Sequence, residues 1–185
     1  SHCLAKLLPD KINDITLAMR VALASDNMIQ AEDAVSGLHS WLRAASAEAS
    51  SIPPPPDDLL REIGVIIATR RKGVLNRALQ LARLVFTSGT EEQRNTIATL
   101  TLHGLSYLNE ELPYNRDHDE AALDIPLLRW GCAHLALAMQ SSGFEADPTV
   151  KLWAEEVKDD PLPEVRHAEG PASVGTTEGK SRMNS

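Results

Sequence analysis

Apolar residues recur at steps of three and four along almost the whole chain, and capping or turn residues break the pattern at short intervals. In a first segment from about Asp10 to Ala24, Ile12, Ile15, Met19, Ala22 and Leu23 fall on one face. That spacing is the stripe of a helix burying one side. Met28, Ala31, Val35, Leu38, Leu42 and Ala45 repeat it in a second segment with the alternation of a heptad seam, read here as packing on the first helix. Ser25-Asp26-Asn27 between them are turn and N-cap types. Helices therefore come in antiparallel pairs, and one-sided helices in pairs must find further helices to cover them.

Composition agrees. Aromatics make up only 4% of the residues, and Ala and Leu carry most of an apolar share of 43%. Both are strong helix formers, whereas strands favour β-branched and aromatic residues. The fold class expected is all-α. With 185 residues, a core or an elongated stack of pairs is affordable.

Ser50-Ser51-Ile52 and the run Pro53 to Pro56 stop the second helix and predict a stiff polyproline spacer between the first two pairs. Asp57 or Asp58 is placed to cap a third helix with Leu59, Leu60, Ile63, Ile66 and Ile67 inward. Arg70-Arg71-Lys72-Gly73 reads as its C-terminus, cations against the helix dipole and Gly at the left-handed position. The fourth helix uses Val74, Leu75, Ala78, Leu79, Ala82, Val85 and Phe86. Thr90-Glu91-Glu92-Gln93 is a capping box that opens a fifth, with Ile97, Leu100, Gly104, Leu105 and Leu108 on one face. After Pro113 a polar loop runs to Asp124, where a sixth helix starts and continues to about Ser142, apolar over most of its circumference. Asp147-Pro148 begins a seventh with Val150, Trp153, Ala154 and Val157 inward. A short eighth spans Pro163 to Ala168. Residues 169–185 are rich in Gly, Ser and Thr, with Pro and Lys, and show no apolar periodicity, the composition of a disordered tail.

The segment from Trp153 to Arg166 holds Asp160-Pro161 followed by Val165-Arg166. It resembles the inter-helix turn of a HEAT-type repeat over about a tenth of the chain. The resemblance implies that Asp160 caps, Pro161 fixes the turn, Val165 packs inward and Arg166 bridges to an acidic partner in the neighbouring repeat. The earlier pairs lack this signature and their spacing varies. The architecture expected is thus an irregular α-solenoid, HEAT- or TPR-like, with a compact helical bundle as the alternative, forming one domain over residues 1–168.

Charge and cysteine usage restrict the partners. A net charge of −8 repels phosphate backbones and anionic lipid, so nucleic acid is an unlikely partner. Cys3 and Cys132 stand far apart and support neither a disulfide framework nor a zinc ribbon, which favours a reducing, cytoplasmic home. No apolar run approaches the roughly 20 residues of a membrane span. The opening Ser1-His2 reads as a tag scar, pointing to a domain excised from a larger, bacterial protein.

Three clusters could carry chemistry. Asn115 to Glu120 places Asp117, His118, Asp119 and Glu120 together, with the donors for a divalent cation or an acid–base pair, or simply a solvated loop. His103 and His134, on the fifth and sixth helices, would form a zinc site if both faced one gap near Cys132. Arg70, Arg71, Lys72 and Arg77, with Arg83, are a local basic patch suited to an acidic partner or a phosphate, against the plainer account of helix-end electrostatics. There is no phosphate-binding Gly-rich loop, Gly-x-Ser-x-Gly elbow or Cys-x-x-Cys. We therefore lean away from an enzyme, expect no cofactor, and expect a protein-interaction scaffold contacting a protein partner or other domains of the parent chain. The basic turn and the aromatics Trp41 or Trp153 are its candidate contacts, packing being the stronger role for Trp41. The alternatives are a small all-α enzyme or metal-binding bundle using the 117–120 loop with His103 and His134, and a homo-oligomeric structural bundle.

Overall fold

The computed structural model describes residues 11–47, 50–111, 124–160 and 163–166. Among them there is no strand. The helices are α1 (Ile12–Ala24), α2 (Met28–Ala45), α3 (Asp57–Ala68), α4 (Leu75–Ser88), α5 (Glu91–Glu111), α6 (Asp124–Met139), α7 (Pro148–Glu156) and α8 (Pro163–Arg166). The all-α class is thereby established. The 112–123 loop and the 167–185 tail lie outside the described residues.

Local chemistry sets several boundaries where the sequence places them. The Asn27 side chain accepts from the Ile29 and Gln30 amides at 3.1 and 3.3 Å and starts α2. Thr90 and Gln93 satisfy one another reciprocally: the Gln93 amide donates to Thr90 Oγ1 at 3.2 Å, and the Thr90 amide to Gln93 Oε1 at 3.0 Å. Asp147 accepts from the Thr149 and Val150 amides, with Pro148 at the first helical position.

Two ends differ from expectation. The N-cap of α3 is Pro56, extended at φ −60 and ψ 146, so Asp57 and Asp58 already lie inside the first turn. There they favour the positive end of the helix dipole, and Asp58 also ion-pairs with Arg20 of α1. At the other end of α3 the left-handed residue is Arg70, at φ 51, not Gly73 alone. The Arg70 amide donates to the Ile67 carbonyl and the Arg71 amide to the Ile66 carbonyl, both at 3.1 Å. This is a Schellman closure with Arg where Gly is usual. Gly73 serves the next bend, at φ 84. The sixth helix also closes through a widened turn, Gln140–Phe144, in which Gly143 takes φ 100.

The packing order shows how the helices are layered. Helices two apart in sequence lie side by side throughout: α1 on α3, α3 on α5 and α5 on α7, and α2 on α4, α4 on α6 and α6 on α8. The odd-numbered helices thus form one layer and the even-numbered ones a second. The layers are joined by α1–α2, α3–α4, α4–α5 and α6–α7 contacts. Such packing of helix pairs in two layers is compatible with an α-solenoid and with a helical bundle.

Glycines set the tightest approaches. A Cβ on Gly104 of α5 would stand 2.6 Å from the Ile67 carbonyl oxygen, and one on Gly64 of α3 would stand 3.0 Å from Leu100. One hydrophobic cluster runs from Leu23 through α2 to Trp153 of α7, with Phe86 and Phe144 edge to face at 5.4 Å. The proline segment is strapped to it: Pro55 is buried, and the Trp41 indole donates to the Pro53 carbonyl at 2.8 Å.

Candidate functional site

The basic turn is mostly committed to holding the stack together. Arg71 reaches across to α1 and donates from both terminal nitrogens to the Leu23 and Ser25 carbonyls. Its charge therefore complements the C-terminus of α1 and not that of its own helix. Arg70 lies over the Tyr107 ring of α5 at 4.7 Å, a cation–π contact between neighbours in the odd layer. Arg77 of α4 pairs with Glu32 of α2, both partly exposed. Lys72 is exposed at the tip of the turn.

The histidines occupy different places. His103 is exposed on α5 with its ring edge to face against Tyr107 at 4.8 Å. His134 is half-buried on α6 and tilted against Trp130 at 4.3 Å. The helices that carry them were expected to pack on each other, but α5 packs on α3, α4 and α7 while α6 packs on α4, α7 and α8. Stacking by alternate helices is the reason: it sends consecutive helices into opposite layers. Cys132 is fully buried, and burial pushes its thiol well above the usual range, which disfavours the thiolate a metal needs. No group of three or more His, Cys, Asp or Glu that could hold a metal ion occurs among the described residues. Asp117, His118, Asp119 and Glu120 lie outside them.

The tryptophans offered as contacts are interior. Trp153 is fully buried and donates to the Leu105 carbonyl at 3.0 Å, and Trp41 is buried against the proline segment. A large aromatic with one polar atom suits such positions once a carbonyl is in reach. Trp130 is the tryptophan that retains exposure.

The HEAT-like turn is assembled differently from its expected form. Val165 is buried against Ala133 and Val157, as the resemblance implies. Asp160 is fully buried, and its carboxylate accepts from Arg129 Nε of α6 at 3.2 Å. Arg166 donates to the Asp160 carbonyl oxygen, and no ion pair of it with an acidic side chain is seen among the described residues. Both arginines thus converge on one residue. Arg129 was not singled out in the sequence because it sits within an otherwise apolar helix.

A second set of residues was also missed. On the even layer, Arg43 lies one turn beyond His39 on α2, and Arg83 of α4 lies beside His134 of α6. Burial first, and the adjacent guanidinium second, lowers the pKa of both histidines, that of His134 to about 4. Both imidazoles are therefore neutral near pH 7 and retain one N–H donor each. Among the described residues Arg43 and Arg83 have no carboxylate partner. The signal in the sequence is an absence of acid: residues 34–45, 75–88 and 125–139 contain no Asp or Glu, in a chain that has 26.

A shallow depression lies apart from these groups, lined by Glu91, Glu92, Asn95 and Thr96 on the first turns of α5. No described helix is long and apolar enough to cross a membrane. Comparison with protein-family models, with curated proteins and with solved structures gives no match for this chain.

Proposed function

We propose that this chain is a protein–protein interaction module built of stacked helical hairpins, and not a catalyst. The observation that carries the reading is the alternate-helix packing order. Such a stack buries its core between layers and leaves the outer wall of each layer as a continuous surface crossing several helices, the kind of surface repeat proteins use for recognition. Several polar side chains that are buried or partly buried fit this role. Arg71, Arg129, Asp160, Trp41 and Trp153 all join one helix or turn to another.

Panning a random-peptide display library on the whole chain tests the proposal. The expected result is a set of saturable binders that compete with one another and lose affinity when exposed residues of one layer are changed. Absence of saturable binders, or binders scattered over unrelated surfaces, overturns it.

A further inference from the structure

We propose that the outer face of the even layer, across α2, α4 and α6, is the contact surface and that its partner is an acidic segment of another protein. This inference rests on the interaction-module reading and deepens it.

Three observations converge. The first is the separation of charge. The odd-layer helices carry Asp14, Asp57, Asp58, Glu62, Glu91 and Glu92, among others. Beyond Glu32 and Asp33 near the start of α2 and Asp124 at the start of α6, the helices α2, α4 and α6 carry no carboxylate, and their solvent-accessible charges are Arg43, Arg77 and Arg83. In a chain of net charge −8 this face is the place where a negative partner meets attraction instead of repulsion.

The second observation is that, of these three, Arg77 is paired with Glu32 whereas Arg43 and Arg83 have no ion-pair partner among the described residues. Arg20, Arg77 and Arg129 are ion-paired, and Arg71, Arg94 and Arg166 donate to carbonyls. Arg43 and Arg83 sit instead beside half-buried imidazoles, where no described carboxylate neutralises them. A guanidinium and a neutral imidazole N–H near it are both donors that a carboxylate can accept from, and bonds from the charged one are strong. The arrangement occurs twice, on α2 and across α4–α6, and α4 packs against both α2 and α6.

The third is Trp130, half-buried with its ring tilted on His134. It supplies apolar contact area beside the second donor pair, the combination found at binding hot spots.

A protein segment is favoured over nucleic acid because so few cations serve this face. A phosphate backbone needs many neutralising contacts to overcome the repulsion of the acidic remainder.

The test uses the same panning, read now for composition and location. The expected binders are rich in Asp and Glu. They shift or quench emission from Trp130, since the other two tryptophans are buried, and lose about tenfold affinity, or more, in Arg43→Gln and in Arg83→Gln. They bind Arg61→Gln, a change on α3 in the odd layer, unaltered. Circular dichroism of each variant confirms that helix content is retained; Arg43 is exposed, so its replacement leaves the core intact. Convergent binders that are not acidic, or that ignore both substitutions, overturn the inference while leaving the module reading standing. A single-stranded oligonucleotide that displaces the acidic peptides and binds more tightly also overturns it, in favour of nucleic acid. Failure to obtain any saturable binder removes the module reading itself.

Discussion

Gly104→Ala is the substitution whose effect follows most directly from the packing. In a free helix the change is favourable by about 1 kcal/mol, because Ala loses less backbone entropy. Here the added Cβ would lie 2.6 Å from the Ile67 carbonyl oxygen, 2.7 Å from Ile67 Cγ2 and 2.8 Å from the Ile67 carbonyl carbon. Two of those three atoms are backbone and cannot rotate away. Reaching ordinary contact at 3.4 Å requires α3 and α5 to part by about 0.8 Å. A gap of that order forfeits roughly a quarter to a half of each dispersion pair along the seam. Overpacking of this kind costs about 1–3 kcal/mol, with backbone clashes toward the upper end. After the helix-propensity gain is subtracted, a net loss of about 1–2 kcal/mol is expected. Urea unfolding followed by circular dichroism measures it, and the melting temperature should fall by roughly 2–4 °C per kcal/mol. Adding Ile67→Ala should not restore the loss, since it removes Cγ2 and leaves both backbone atoms. A Gly104→Ala protein as stable as the parent, or rescue by Ile67→Ala, would refute the close-approach argument.

Other substitutions probe the buried polar groups. Asp160→Ala leaves the Arg129 guanidinium buried without its carboxylate and should destabilise by about 3–5 kcal/mol, while Arg129→Met combined with Asp160→Ala should cost distinctly less, both read by denaturant unfolding. Thr101 is fully buried with its hydroxyl unpartnered, so Thr101→Val should stabilise by about 1 kcal/mol; a loss would show that the hydroxyl has a partner. His134 is neutral in the folded chain down to about pH 4, whereas in the unfolded chain it protonates near pH 6.5. The unfolded state therefore binds the extra proton in that window. Its share of stability is present above pH 6.5 and is lost as the pH falls toward 4. Because the ring is about half exposed, solvent screening reduces the share to roughly 1–2 kcal/mol. Unfolding of the parent and of His134→Gln compared at pH 7 and pH 5 isolates it, and parallel losses would exclude it.

What the chain declares about itself follows the range of the interactions. Asn27, Asp147 and the Thr90–Gln93 box were legible because each satisfies amides two or three residues away. The Arg70 closure was not, since Gly73 offered the cheaper left-handed position and only the packed turn selects Arg70. Arg71 looked like a cap for α3 but serves α1, 46 to 48 residues earlier in the chain, and no local rule encodes such a reach. Trp41 and Trp153 fell on inward stripes, yet their carbonyl partners are set by tertiary packing. In the HEAT-like turn, the inward Val165 follows from helical spacing, whereas Arg166 and Arg129 both choose Asp160 because the turn folds back onto α6. The proximity of Arg83 to His134 arises between separate helices of one layer, so only the missing carboxylates hinted at it.

The uneven anchoring of α1 has a consequence for how this molecule loosens. Only Leu23 of that helix is fully interior, while Leu17 and Val21 remain 59% and 64% exposed. Ile12, Ile15, Met19 and Ala22 pack against the core only in part, and its polar ties lie toward the carboxyl end, where Arg71 holds two carbonyls and Arg20 is tied to Asp58. The expectation is that α1 opens from its amino end toward that clasp before the rest of the molecule unfolds, which hydrogen exchange would show as faster exchange in α1 than in α3–α6. The α3–α6 body stays shut meanwhile, because each of those helices is flanked by neighbours on both sides. On this expectation α1 alone is the loose leaf of the first hairpin, and Arg71 is the point at which it stays attached.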